Sequence, residues 1–274
     1  MIKAEVVLDS VGPEGHRLTT LIVDFHRFIL AELNTHCALV KNSASSRAIP
    51  LPKRIQAVRE DTAMPLHWGR NQSGMSAEEE LTGEELRIAK QSWLDAASDA
   101  ADQAEIMAGI GLHKQVAARV LEPFLWHRAI LTGTDWDGFF FQRCSKSAQP
   151  EMEALANAIR DAYQASEPLE VPKGGWHTPL ITRNDEANHN SEQLRMISVA
   201  RCARVSFLNE RGIRDTKEDL ALYWRLYDGV HLSPFEHVAT PHSRVRPGHR
   251  GRLKGWQQLR HYLELDEKLM GITS

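Results

Sequence analysis

The run from Thr35 to Arg47 (THCALVKNSASSR) sets hydrogen-bond donors among side chains small enough to let backbone N–H groups approach a ligand. Asn42, Ser45 and Arg47 suit a phosphate or a pyrimidine edge, because serine, backbone donors and a guanidinium match a dianion. A loop that caps the preceding helix would use the same residue types. Arg119, within QVAARVLEP, and Arg143, within DGFFFQR, stand in apolar runs where a guanidinium is costly to bury without a partner. An anion or a carbonyl satisfies such an arginine; so does a carboxylate such as Glu122 or Asp137. His237 closes the turn Ser233-Pro234-Phe235-Glu236-His237, with Thr240 downstream, and reads either as a ligand contact or as a hydrogen-bonded core imidazole. Ala203-Arg204-Val205-Ser206 is a further candidate segment. The tail carrying Arg244, Arg246, Arg250, Arg252, Lys254 and Arg260 around Trp256 reads as a nucleic-acid surface, a solvated face or a phosphate lining.

These residues need elements to hold them. Residues 3–9 and 17–24 read as strands joined by a turn over Gly12–Gly15. Apolar spacing predicts a helix from Arg27 to His36, then a loop through Asn42 to Pro50. Residues 61–78 form a second Gly/Pro-punctuated loop. A long helix is expected from Glu84 to Gly109, broken at Gly111 and resuming over His113–Ala129 with a kink at Pro123. Residues 148–164 predict another helix with Pro150 in its first turn. Residues 166–193 concentrate Pro, Gly and Asn as a linker does. Leu194–Phe207 reads as a helix passing to a strand, and Thr216–Asp228 as a helix with Thr216 at its N-cap. The class is α+β, richer in helix than strand.

Composition narrows the chemistry. A chain of 274 residues, 42% hydrophobic and 25% charged, can bury a core as one large domain or two small ones. A net charge of −3 gives no general attraction to nucleic acid or anionic lipid, so direct nucleic-acid binding is not expected. Three scattered cysteines, Cys37, Cys144 and Cys202, suggest reduced thiols in a cytoplasmic setting and no zinc or other metal site. The sequence contains no leader-like N-terminus and no apolar window long enough for a membrane span, so a soluble protein is expected. GxGxxG, the P-loop, HExxH and GxSxG are absent, leaving Rossmann binding, Walker-type phosphoryl transfer and serine hydrolysis unsupported.

Taken together, five segments across most of the chain resemble the flavin-dependent thymidylate synthases. Arg195–Ser206, the acidic helix after it and His231–His237 (HLSPFEH) look like the segments that open those enzymes. Thr35–Arg47 is similar to the signature RHRxxSxNExSxR, with His36, Asn42, Ser45 and Arg47 in register. Ala118-Arg119 with Pro123, then Arg143 and Ala148-Gln149, look like the later helices. The usual enzyme has SPFEH before the signature; here it follows, so the chain resembles a circularly permuted, phage-type member in a bacterial host's cytoplasm.

The resemblance implies a mixed or antiparallel sheet flanked by long helices. Residues 1–165 would form the signature and nucleotide-binding portion, and 194–274 would complete the same domain across the 166–193 linker. It implies a homotetramer whose active sites draw on several subunits, with FAD bound without a Rossmann motif. NADPH and 5,10-methylenetetrahydrofolate would be co-substrates in transferring a one-carbon unit to C5 of a pyrimidine deoxynucleotide monophosphate, dUMP first. Asn42, Ser45, Ser46, Arg47, Arg119 and Arg143 would bind the nucleotide, with Arg143 and His36 catalytic. His36, Cys37, Gly138, Ser206, His237 and Thr240 would lie along the flavin. Thr35 and Cys37 replace the signature's two outer arginines, Val40 its serine and Ser43 its glutamate. The phage branch leads us to expect arginine at Cys37 and asparagine at Gly138. Such losses bear on cofactor binding and on whether dUMP or dCMP is modified, to a methyl or a hydroxymethyl product. A flavin-free nucleotide-binding relative is the other reading.

Overall fold

The structure, a computed structural model, describes residues 1–43, 48–205, 215–242 and 252–263. Five strands form one sheet: β1 (Lys3–Val11), β2 (Arg17–His26), β3 (Val40–Ser43), β4 (Trp126–Gly133) and β5 (Leu169–Glu170), in the order β3-β4-β2-β1-β5. All pairs are antiparallel except β1 with β5. The β1–β2 turn closes with Gly15 at φ +78, a left-handed conformation that glycine adopts without a Cβ clash. Both strands extend two residues beyond the expected ends.

Between the strands run α1 (Leu30–Asn34), α2 (Leu51–Glu60), α3 (Gly83–Gly109), α4 (Lys114–Ala117), α5 (Asp137–Arg143) and α6 (Pro150–Gln164). Then follow α7 (Arg183–Asn188), α8 (Ser191–Ala203), α9 (Thr216–Asp228) and α10 (Leu259–Leu263). β6 (Ala239–Pro241) and β7 (Trp256–Gln258) make a separate antiparallel pair. One sheet face, through Leu21, Val23, Ala129 and Leu131, packs on α1, α5 and α6. The opposite face presents Ile22 and Ile130 to Cys202 and Val205 at the end of α8. α2, α3 and the 3-10 turn Ala118–Phe124 form a second core around Leu51, Ile55, Ala101 and Leu121.

Several expectations need correction. The helix over His113–Ala129 is only the turn α4 and a 3-10 segment; Pro123 ends it, and Trp126–Gly133 is the strand between β2 and β3. Asn42 lies on strand β3 rather than in a loop. The predicted helix from Arg27 divides into a 3-10 turn, Arg27–Ile29, and α1, which stops at Asn34. Asp215, not Thr216, caps α9, its carboxylate accepting from the Lys217 N–H. α8 starts earlier than Leu194 because Asn190 and Gln193 form a capping box; residues 204–205 form no strand, and 206–207 lie outside the described residues. Residues 166–193, expected as a linker, carry β5 and α7 and bury His177 completely. Among the described residues no helix is long and apolar enough to cross a membrane.

Candidate functional site

α1 and α5 face one another and bring His36, Glu32 and Arg143 together. Arg143 Nε donates to His36 Nε2 at 2.7 Å, and its Nη1 pairs with the Glu32 carboxylate. Nη2 reaches Thr35 Oγ1 at 3.5 Å. The acceptor role of Nε2 leaves the imidazole proton on Nδ1. Burial, then the Arg143 and Lys41 cations, pushes the His36 pKa down to about 4, so the ring is neutral at pH 7. Phe139 meets the same ring edge-to-face at 4.9 Å. Lys41 donates to the His36 carbonyl, and Cys37 beside it is exposed. The partner of Arg143 is therefore Glu32, not the suggested Asp137. Two of its five N–H groups are left for a ligand.

A second constellation lies on the other sheet face. Thr20 and Thr132 are opposite one another on β2 and β4, and their hydroxyls meet at 2.7 Å. Thr20 also meets His177 Nε2 at 2.8 Å, and His177 Nδ1 meets Ser10 Oγ at 2.8 Å. Thr132 meets His237 Nδ1 at 2.8 Å. The chain Ser10–His177–Thr20–Thr132–His237 is buried throughout, and it ends at His237 Nε2, a buried ring nitrogen without a partner. Burial pushes both imidazoles down to about 3, with His237 adding to the effect on His177. Both rings are therefore neutral. His237 is thus a hydrogen-bonded core residue that keeps one ring nitrogen open.

The remaining expected site residues are dispersed. Asn42 Nδ2 donates to the Cys202 carbonyl at 2.8 Å, tying β3 to the C-terminal end of α8. Thr240 Oγ1 donates to the Gly175 carbonyl at 2.7 Å. Gly138 is exposed in the first turn of α5, where a Cβ would come no closer than 3.6 Å to the Asp135 carboxylate. Arg119 is exposed and pairs with Glu122 at 2.9 Å, the carboxylate suggested for it. Ser45, Ser46, Arg47 and Ser206 lie outside the described residues.

Sequence reasoning missed Arg54, the most deeply buried arginine of α2, as well as His177, Thr20 and Thr132. The rule that singled out Arg119 and Arg143 applies equally to Arg54 in LPKRIQAV, where it shares the apolar face of α2 with Leu51, Ile55 and Val58. His177 carried no such signal. Its partners are 157 and 167 residues away.

The fold and site define an α+β protein with a mixed five-stranded sheet. No family model and no curated protein matches the chain. Among solved structures it is similar to that of a UMP/dUMP methylase, PolB from Streptomyces cacaoi, bound with 5-Br dUMP. The two are 14% identical with a TM-score of 0.49, over 60% of this chain and 90% of that one. At that level the likeness carries neither fold nor activity to this chain.

Proposed function

We propose that this protein transfers a one-carbon unit to C5 of a pyrimidine deoxynucleotide monophosphate, with dUMP as substrate and dTMP as product. It would use FAD, 5,10-methylenetetrahydrofolate and NADPH, in the manner of the flavin-dependent thymidylate synthases that its segments resemble. The observation that carries the reading is the bond from Arg143 to His36, which joins two of those segments across 107 residues of chain.

The residues present fit a flavin in part. His237 Nε2, buried and unpartnered, suits a heteroaromatic edge, and on the other sheet face a side chain at Gly138 would meet nothing closer than 3.6 Å. The signature arginine expected at Cys37 is missing, so flavin binding would lean on fewer cations. When bound, FAD supplies the redox chemistry that no side chain can. The chain's own groups bind and orient. Arg143, held by Glu32 and His36, offers its remaining N–H groups to uracil O4, drawing electron density away from the ring that reacts. The neutral His36 fixes the guanidinium without adding charge of its own. The exposed Cys37 needs no nucleophilic role in this scheme.

A second reading, dCMP methylation or hydroxymethylation, is favoured by Glu32. Paired with Arg143, it places an acceptor beside the donor, as the exocyclic amino group of cytosine requires. Purified protein incubated with FAD, NADPH, labelled methylenetetrahydrofolate and either nucleotide separates the two. The expected outcome is a labelled methyl product from dUMP, identified by mass. A methyl or hydroxymethyl product from dCMP alone selects the second reading. The absence of product from both nucleotides rejects the proposal.

A further inference from the structure

The cleft where the N-terminal turns of α2 meet the ends of β2 and β4 has no role in the scheme above. It encloses about 190 Å³ and is lined by Arg27, Lys53, Arg54, Trp126, His127 and the ion-paired Arg128, among others. Its charge is lopsided. Asp24, which also lines the cleft, pairs with Arg128 at 2.7 Å, and nearby Glu122 pairs with Arg27 and Arg119, so Lys53 and Arg54 have no ion pair among the described residues. Glu122 is shared by Arg27 at 3.3 Å and Arg119 at 2.9 Å, and it makes no ion pair with Arg54 among the described residues.

Arg54 is the anomaly. It is only 7% exposed, its Nε is buried without any partner, and no hydrogen bond or ion pair engages its guanidinium among the described residues. A buried, unpaired guanidinium is unfavourable by several kcal/mol unless an anion meets it. Burial and the nearby Arg27 and Arg119 cations lower the Arg54 pKa, as expected where positive charge is in excess. The Trp126 indole N–H is likewise buried and unpartnered. Both orphaned groups are donors only, so the missing partner is an acceptor. The helix adds to this: Pro50 caps α2 without a side-chain hydrogen bond, leaving early backbone N–H groups of a ten-residue helix uncapped. His127 contributes no charge, because burial and the Arg27 and Arg54 cations push it down to about 3.

We infer that this cleft is a phosphate-monoester seat, in which the Arg54 and Arg27 guanidinium groups, Lys53 and the α2 N-terminus bind the 5′-phosphate of the nucleotide. The identity of the ligand rests on the nucleotide reading above; the demand for an anion does not. A dianion of this kind takes charge-assisted bonds from several donors at once, which a carboxylate of one negative charge matches less well. Ile49 lines the same cleft.

Binding of dUMP, deoxyuridine and inorganic phosphate to the full-length protein, by calorimetry without flavin or folate, tests the seat separately from the chemistry. We expect dUMP to bind at least about tenfold more tightly than deoxyuridine, with phosphate competing against it. Arg54→Met should remove that preference, and Arg54→Lys should retain part of it. Lys53 is exposed, so Lys53→Gln will fold even if the Arg54 variants do not, and it should weaken dUMP several-fold. Equal affinity of the wild type for dUMP and deoxyuridine overturns the seat. So does undiminished dUMP binding by folded Arg54→Met, or a change in that variant's oligomeric mass with phosphate binding unchanged, which would assign Arg54 to a subunit contact. If the seat fails while dUMP is still methylated, only this inference falls. If phosphate binds at Arg54 and no pyrimidine is modified, the nucleotide reading falls and the anion site stands.

Discussion

Three arginines with similar sequence surroundings have three different fates. Arg119 is exposed and paired with Glu122, Arg143 is half-buried and shared among Glu32, His36 and Thr35, and Arg54 is buried with no partner. The sequence rule that a cation in an apolar run needs an anion was sound, but it cannot say which arginine turns inward. That depends on which helix face meets the second core, a tertiary fact. The Arg143–His36 pair makes a residue-level prediction. Arg143→Ala removes the nearest cation from the imidazole, so the His36 pKa should rise from about 4 towards its ordinary value. NMR titration of the ring reads this directly. A His36 pKa that stays near 4 would mean that burial and Lys41 set it without Arg143.

At the scale of elements, the helices were legible wherever period and caps agreed. α3 and α6 fall within two residues of their expected ends, and α9 matches its expected span. β4 was not legible. It lies between β2 and β3 with both faces covered, so Ala129-Ile130-Leu131-Thr132 reads as a continuous run instead of an alternation. The Ala-rich stretch before it reads as a helix that runs on to Ala129 with only a kink at Pro123, so it masks the start of the strand. Between α7, α8 and α9 a buried triad does the joining. Arg201 donates to Asp185 at 2.6 and 2.9 Å and to Asp219 at 3.0 Å, and its Nη1 also reaches the Leu180 carbonyl at 2.8 Å. Burial pushes Asp185 up, but the bonds from Arg201 and Thr182 outweigh it and hold that carboxyl well below the usual range. Arg201→Met leaves buried Asp185 without its cation and Asp219 with only Arg204 at 3.4 Å, and we expect a loss of about 3–5 kcal/mol in a urea-unfolding experiment. A loss below about 1 kcal/mol would show that the triad does not hold these helices together.

Across the whole molecule, the buried chain from Ser10 to His237 joins the first strand to the C-terminal turn, with His177 between them. Its residue types were visible in the sequence; their convergence over more than a hundred positions was not, because hydroxyls and imidazoles have no periodic signature. Both imidazoles are depressed to about 3 in the fold, whereas an unfolded histidine titrates near 6.5. As pH falls the unfolded chain takes up protons that the native state refuses. The stabilisation is complete above about pH 6.5 and is lost progressively towards about pH 3. Lowering the pH from 7 to 5 should reduce stability by roughly 2 kcal/mol per ring, measured as a falling urea midpoint. A midpoint constant over that interval would contradict the buried, neutral assignment.

In the proposed reaction a flavin and a pyrimidine nucleotide share one site built from remote parts of the chain. Titrating dUMP into the FAD-loaded protein while recording the flavin's visible spectrum tests this most directly, since a base stacked on the isoalloxazine ring perturbs its absorption. We predict a saturable spectral change that His237→Ala and Arg143→Ala both weaken. A protein that takes up no FAD, or one whose flavin spectrum is indifferent to saturating dUMP and dCMP, would contradict it.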